Sequence, residues 1–331
     1  MHTLKELAGF IDAKLVGNGG LEIAGIASVA AANGNQLSYV ISKKYTKDLK
    51  STQAGAVILH SDLLSDCPTN ALVVADVHLA FAQISHYFKP KTTHFHGIHP
   101  SAKIGNSKIA ENCVIGENVT IGDGCEIGAN STISAGVVIG NNTNFQPNVV
   151  VLENCKIGNN VTVAAGAVIG SEGFGNAKDS KGNWHSIAHL GSVEIGDNVS
   201  IGANTTIDRG TLEDTQIHSG VRLDNLIHIA HNVIIGENTA IAANTGIAGS
   251  TTLGKRCMIG GMVGIVGHLN ICDDVIVNAK STVDKDIKSA GNYTGIMPLM
   301  PHKQWQNIGI WLTKLDKITR YLNIKLKNLK D

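Results

Sequence analysis

The feature that most limits what this chain can fold into is a six-residue period. From Ile109 an apolar side chain returns at Ile115, Ile121, Ile127, Ile133, Ile139, Phe145, Val151, Ile157, Val163 and Ile169. After an interruption the spacing continues at Ile195, Ile201 and Ile207 and then slips by four residues. It next runs unbroken from Ile217 through Leu223, Ile229, Ile235, Ile241, Ile247, Leu253, Ile259, Ile265, Ile271 and Val277 to Val283. Six fits neither the 3.6-residue helix nor the two-residue alternation of a strand ending in a hairpin. It fits a parallel β-helix, in which each hexad makes one short side of a triangular coil and stacked coils close a continuous core. Inward aliphatics stack while small residues turn the corners, which accounts for 37 glycines and an aromatic content of only 4%. The expected fold is mainly β, with positions eighteen apart lying one strand spacing, about 4.8 Å, from each other. The period itself does not set handedness, although hexapeptide solenoids as a class are left-handed.

The rest of the chain divides around this rod. Residues 1–97 lack the period and mix a helix-like opening, MHTLKELAGFIDAKL, with strand-like runs such as AGAVIL and NALVVADV, so a small α/β domain is expected. A linker interrupted by Pro90 and Pro100 leads into the left-handed parallel β-helix expected over 98–295. Residues 171–190 are too irregular for a hexad and are expected to leave the rod as an excursion. Residues 296–331 are expected to form a C-terminal helical extension, with apolar spacing at Trp305, Ile308, Leu312, Leu315, Ile318, Leu322 and Leu329.

Composition removes several function classes. Basic and acidic residues both number 27, and a formal net charge of zero argues against nucleic-acid binding by the whole chain. Seven basic residues concentrate in 303–330, leaving the remainder net acidic. The six cysteines are scattered without a C-x-x-C pair, which predicts reduced thiols and neither a disulfide framework nor a zinc site. His94, His96 and His99 share a linker with no carboxylate or cysteine companion, so no metal is expected, and no cofactor motif is present. No uncharged apolar run approaches about 18 residues, and the opening reads as an amphipathic helix in place of a signal peptide; no membrane span and a cytoplasmic location are expected.

Against the rod, the stretch IHIAHNVIIG carries His228 and His231. Eighteen and thirty-six residues beyond His231 stand Gly249 and Gly267, and beyond His228 stand Gly246 and Gly264. Two glycine columns leave bare backbone and a shallow slot suited to an extended ligand. His268 is two coils plus one position from His231, on the same side of the rod, and Asp224, seven residues before His231, is expected to reach its imidazole across a corner. A histidine held by a carboxylate, with a backbone N–H nearby, suits proton abstraction from a weak nucleophile with oxyanion support. The plain alternative is a surface histidine at an outward strand position, and that reading is kept for His228, His218, His185 and His189.

The stretches GSEGFG, IGANTTIDRGTLEDT, LDNLIHIAHNVIIG, MIGGMVGIVGHLNICD and GIMPLMPHKQW, together with the domain order, resemble the UDP-3-O-acylglucosamine N-acyltransferases of lipid A biosynthesis. The resemblance implies transfer of a 3-hydroxyacyl group from acyl carrier protein to the 2-amine of a UDP-3-O-acylglucosamine, in a homotrimer with sites between neighbouring rods. It implies a general base at His231, an orienting carboxylate at Asp224, an oxyanion glycine at Gly249 and a nucleotide-sugar histidine at His268. It places uracil-stacking aromatics at Tyr39 and Tyr45, with Ser42 standing where an asparagine edge contact is usual. Asn225 and Phe174 join as substrate-contacting candidates, and the basic tail suits an acidic carrier protein. Two other classes share parts of this pattern. An O-acyltransferase acting on another UDP-sugar lacks a comparable N-terminal domain, and a γ-carbonic-anhydrase-like metalloenzyme needs a histidine spacing that His228, His231 and His268 do not match.

Overall fold

The structure, a computed structural model, describes residues 2–89 and 96–321; Pro90, His94, Leu322 and Leu329 lie outside the described residues. The hexads fold as their period demands. Each contributes a short strand such as Val114–Ile115 or Thr120–Ile121. Most strands pair in parallel with the one eighteen residues on, so that Val114 faces Thr132 and Ile115 faces Ile133; across the excursion Lys156 faces Glu194, and across the slip Val193 faces Thr215. The result is three parallel sheets of nine, nine and ten strands among the described residues, enclosing one core made of the periodic aliphatics.

A second inward column, two positions before the first, escaped the hexad reading. Val119, Val137, Val149, Val161, Val199, Val233 and Val263 occupy it and are buried. Where the column is polar its atoms are satisfied, as burial requires: Thr143 Oγ1 donates to Gly158 O at 3.1 Å and Thr239 Oγ1 to Gly254 O at 2.8 Å. Cys113, Cys125 and Cys257 occupy the same column, and all six cysteines are free thiols. The corners need left-handed backbone, which asparagine tolerates better than most residues. Asn142, Asn148 and Asn154 adopt φ of 54°, 63° and 63°.

The N-terminal region opens with helix α1 (Leu4–Phe10), whose Thr3 and Glu6 form a reciprocal capping box. A five-stranded sheet follows in the order Lys14–Val16, Asn70–Val73, Ala56–Leu59, Gln36–Val40, Gly25–Ile26. Helix α2 (Thr46–Ser51) and helix α3 (Val77–Ser85), capped by Asp76, pack beside it. Among the described residues, this region and the rod form one compact unit that ends at Thr294, and a second begins at Gly295. In the latter, helices α4 (His302–Thr313) and α5 (Leu315–Tyr321) carry exposed Trp305, Trp311 and Leu315.

The irregular stretch 171–190 leaves the coil as a hairpin, Asn176–Lys178 against Trp184–Ser186. This hairpin fastens the N-terminal sheet domain to the rod. Ala177 and Ile187 pack in one cluster with Phe81 and Ala82 of α3, Ser85 Oγ accepts from Ala188 N at 2.9 Å, and His86 Nε2 lies 2.9 Å from Ser186 O. The four-residue slip after Ile207 is a separate local bulge. Its backbone folds back so that Gly191 N donates to Gly210 O and Leu190 N to Thr211 O.

Candidate active site

Where the N-terminal domain, the hairpin and the rod meet, a cavity of about 760 Å³ opens. Tyr39, Tyr45, His78 and Phe81 line it from the N-terminal domain, Phe174 and Ile187 from the hairpin segment, and Thr211, Glu213, His231 and His268 from the rod. Tyr39 stacks on Phe81 with ring centroids 3.9 Å apart and planes 18° from parallel, so one of its faces is already covered by protein. Burial, and then the Glu213 carboxylate, push the Tyr39 hydroxyl up to about 12, so it is a neutral donor at neutral pH. Tyr45 is 39% exposed and Phe174 is 91% exposed at the rim, a placement for a large apolar ring that suits contact with a ligand better than packing.

His231 is half-buried at the corner that follows the strand His228–Ile229. Its Nδ1 lies 3.0 Å from Asn232 Oδ1 and 3.4 Å from Thr211 Oγ1. Its Nε2 points the other way, toward Gly249 on the next coil. A Cβ added at Gly249 would stand 2.6 Å from Nε2, so only glycine leaves that face of the imidazole open. The Gly249 N–H donates to no protein acceptor among the described residues, whereas its carbonyl accepts from His268 N at 3.0 Å. A free N–H beside an imidazole nitrogen is the pairing needed to move a proton and support an oxyanion. His268 stands at a left-handed corner, φ 63°, exposed to the same cavity.

Two further histidines flank this one. The His189 ring is buried, its centroid 5.3 Å from that of His231, with Nδ1 3.1 Å from Ile187 O and Nε2 without a partner. Burial first and the neighbouring His231 second bring its pKa down to about 4, so it is neutral at pH 7. His228 is exposed on the outer face of its strand, in register with Gly246, and a Cβ added at Gly246 or Gly264 would touch nothing, so the groove beside it is open. Its Nε2 lies 3.5 Å from the buried carboxylate of Asp208, which also accepts from Ser171 Oγ at 2.6 Å. Burial raises the Asp208 carboxyl above the usual range, against the Ser171 hydrogen bond and the His228 charge.

Of the residues singled out in the sequence, the cavity gathers His231, His268, Tyr39, Tyr45 and Phe174, with Gly249 against the His231 ring. Three stand elsewhere. Asp224 does not reach His231 within the chain: it occupies the corner after Arg222–Leu223, one full side of the triangle away, and its carboxylate accepts from Asn225 N and Ala243 N at 2.8 and 3.1 Å. Seven residues is one more than a side, so the two residues sit on adjacent edges. Asn225 caps that same edge, its Oδ1 accepting from Ala203 N at 2.6 Å. Ser42 is exposed before the short turn Lys43–Tyr45 and does not line the cavity. Sequence reasoning missed Phe81, Thr211 and Glu213, and it took His189, which is buried beside His231, for a surface histidine. The four-residue slip was the signal for Thr211 and Glu213, whereas nothing in the period marked His189. Among the described residues no group of three or more His, Cys, Asp or Glu side chains is arranged to hold a metal ion, and no helix is long and apolar enough to cross a membrane.

Known proteins match this amino-acid sequence along the whole chain. Residues 21–87 match the family model described as UDP-3-O-(3-hydroxymyristoyl) glucosamine N-acyltransferase, LpxD. Residues 95–135, 136–171 and 214–249 match the bacterial transferase hexapeptide repeat. The UDP-3-O-acylglucosamine N-acyltransferase of Vesicomyosocius okutanii is 62% identical over 331 residues, covering all of both chains. That of Hahella chejuensis is 43% identical, covering 98% of this chain and 94% of its own. Among solved structures, a UDP-N-acetylglucosamine O-acyltransferase from Moraxella catarrhalis is similar over 67% of this chain and 83% of its own, at 28% identity and a TM-score of 0.44.

Proposed function

Since the chain belongs to the UDP-3-O-acylglucosamine N-acyltransferase family, we propose that it transfers a 3-hydroxyacyl group from acyl carrier protein to the 2-amine of UDP-3-O-(3-hydroxyacyl)-glucosamine, yielding the UDP-2,3-diacylglucosamine used in lipid A biosynthesis. The observation that carries this reading is the pairing of His231 Nε2 with the open Gly249 position in a cavity whose other wall is aromatic.

In this mechanism the transfer is direct. His231 takes a proton from the amine as it attacks the thioester carbonyl, the carbonyl oxygen gains negative charge opposite the Gly249 N–H, and collapse expels the carrier thiol, which recovers the proton from the imidazolium. No protein nucleophile enters. The exposed rings of Tyr45 and Phe174 and the outer face of Tyr39 hold the nucleotide-sugar by stacking, and His268 contacts its polar portion. The working assembly is a homotrimer in the cytoplasm, and Asp224, placed on another edge in its own chain, serves His231 only across a subunit boundary. Lys314, Lys317 and Arg320 of the tail attract the acidic carrier protein.

The discriminating experiment offers the purified protein UDP-3-O-acylglucosamine or UDP-N-acetylglucosamine with 3-hydroxyacyl carrier proteins of several lengths and follows product mass. Transfer to the free amine alone supports the reading. Transfer to the hydroxyl of UDP-N-acetylglucosamine alone overturns it in favour of an O-acyltransferase.

A further inference from the structure

The nitrogen of His231 that faces away from Gly249 is held by the residue next to it in sequence, and the orientation of that residue is over-determined. Asn232 Nδ2 donates to Glu213 O at 2.7 Å, and its Oδ1 accepts from Thr211 N at 3.0 Å. A flipped amide would set its NH2 against the Thr211 N–H and its oxygen against the Glu213 carbonyl, losing both bonds. Oδ1 is therefore fixed as the atom 3.0 Å from His231 Nδ1. An amide oxygen only accepts, so Nδ1 must carry the proton and the lone pair of the neutral imidazole must sit on Nε2. We infer that Asn232 is a positioning residue that sets the His231 tautomer in which Nε2 faces Gly249 as a base.

Asparagines at corners are common in this rod for backbone reasons alone, and Asn232 has the same left-handed φ of 58°. Its side chain has the additional partners because of the four-residue slip after Ile207, which folds Thr211 and Glu213 back over the corner. Thr215 Oγ1, just beyond, accepts from the Asn232 backbone N–H at 2.8 Å. Corners such as Gly166 and Gly220, φ 73° and 77°, carry glycine. Asn232→Gly thus keeps the backbone while removing the amide.

The role for catalysis rests on the reading of His231 as base; the tautomer itself does not, and the two are measured separately. With 15N-labelled histidine and Asn232 present, the His231 signals, assigned by their loss in His231→Gln, should show Nδ1 protonated and Nε2 unprotonated. In Asn232→Gly the proton should move substantially to Nε2, with kcat lowered about tenfold to 100-fold and KM within about twofold, since a wrong tautomer costs a base its lone pair. Asn232→Asp retains an acceptor on Nδ1, so it should keep the Nδ1–H tautomer while the acid limb of the rate profile rises, because an added carboxylate favours the imidazolium. The other titratable groups facing His231, Asp208 and His189 within the chain and Asp224 across the proposed subunit boundary, are unchanged in both variants. An unshifted tautomer in Asn232→Gly overturns the inference, as does an unaltered kcat despite a shifted tautomer. If no donor supports acyl transfer at all, the proposed activity fails while the tautomer comparison still decides the role of Asn232.

Discussion

Gly249→Ala isolates the space beside the His231 imidazole. A methyl group at this position would lie 2.6 Å from Nε2 and 2.7 Å from Cε1, whereas ordinary carbon contacts begin at 3.4 Å. The ring must therefore retreat by about 0.8 Å, the difference 3.4 − 2.6, or the backbone N–H must move with the new Cβ. A misplacement near 1 Å costs a reacting group about 100-fold, so kcat should fall about 100-fold, about 2.7 kcal/mol in the barrier. The backbone at 249 is not left-handed, so alanine brings no conformational strain of its own and the melting temperature should hold. Steady-state kcat with 3-hydroxyacyl carrier protein and UDP-3-O-acylglucosamine, beside thermal melts followed by circular dichroism, separates the two effects. A folded variant with kcat within about threefold of the parent refutes the assignment of this space to the reaction.

Two further outcomes follow from the N-terminal docking and the buried histidine. Phe81→Ala removes a side chain that is 1% exposed and stacked on Tyr39; it should lower stability by about 3–5 kcal/mol in denaturant titration and raise KM for the UDP-sugar, and a stability loss without any change in KM would separate Tyr39 from substrate. Burial first, and then the neighbouring His231, hold the His189 pKa at about 4, below the ordinary histidine value of 6.5. Between those values the unfolded chain binds a proton that the native protein does not, so stability should decline as pH falls through the window. Melting temperature measured from pH 7 to pH 4 should drop less steeply in His189→Gln, and parallel curves would contradict the burial argument.

The rod was legible because one residue class at one spacing marks every side of the triangle, and the eighteen-residue ruler carried over directly to the stacking of His231 on Gly249. The ruler measures along the axis, however, and not around the perimeter. It therefore did not show that Asp224, close in sequence to His231, stands a whole side of the coil away within its own chain. The inward valine and threonine column was hidden because it mixes apolar with polar residues, whereas the first column is apolar throughout. The excursion showed itself as missing hexads, but its hairpin and its grip on α3 are tertiary contacts made by Ala177 and Ile187 with Phe81 and Ala82, and no local pattern announces them. The Tyr39–Phe81 stack and the approach of His189 to His231 belong to the same class, joining segments 42 residues apart in each case by closure of the fold.

The central claim, that His231 is the base for direct acyl transfer, is tested most directly by the turnover of His231→Ala under saturating 3-hydroxyacyl carrier protein and UDP-3-O-acylglucosamine. Turnover should fall by about 10²- to 10⁴-fold while the protein stays folded and still binds the UDP-sugar. Near-normal turnover in a folded variant would contradict it.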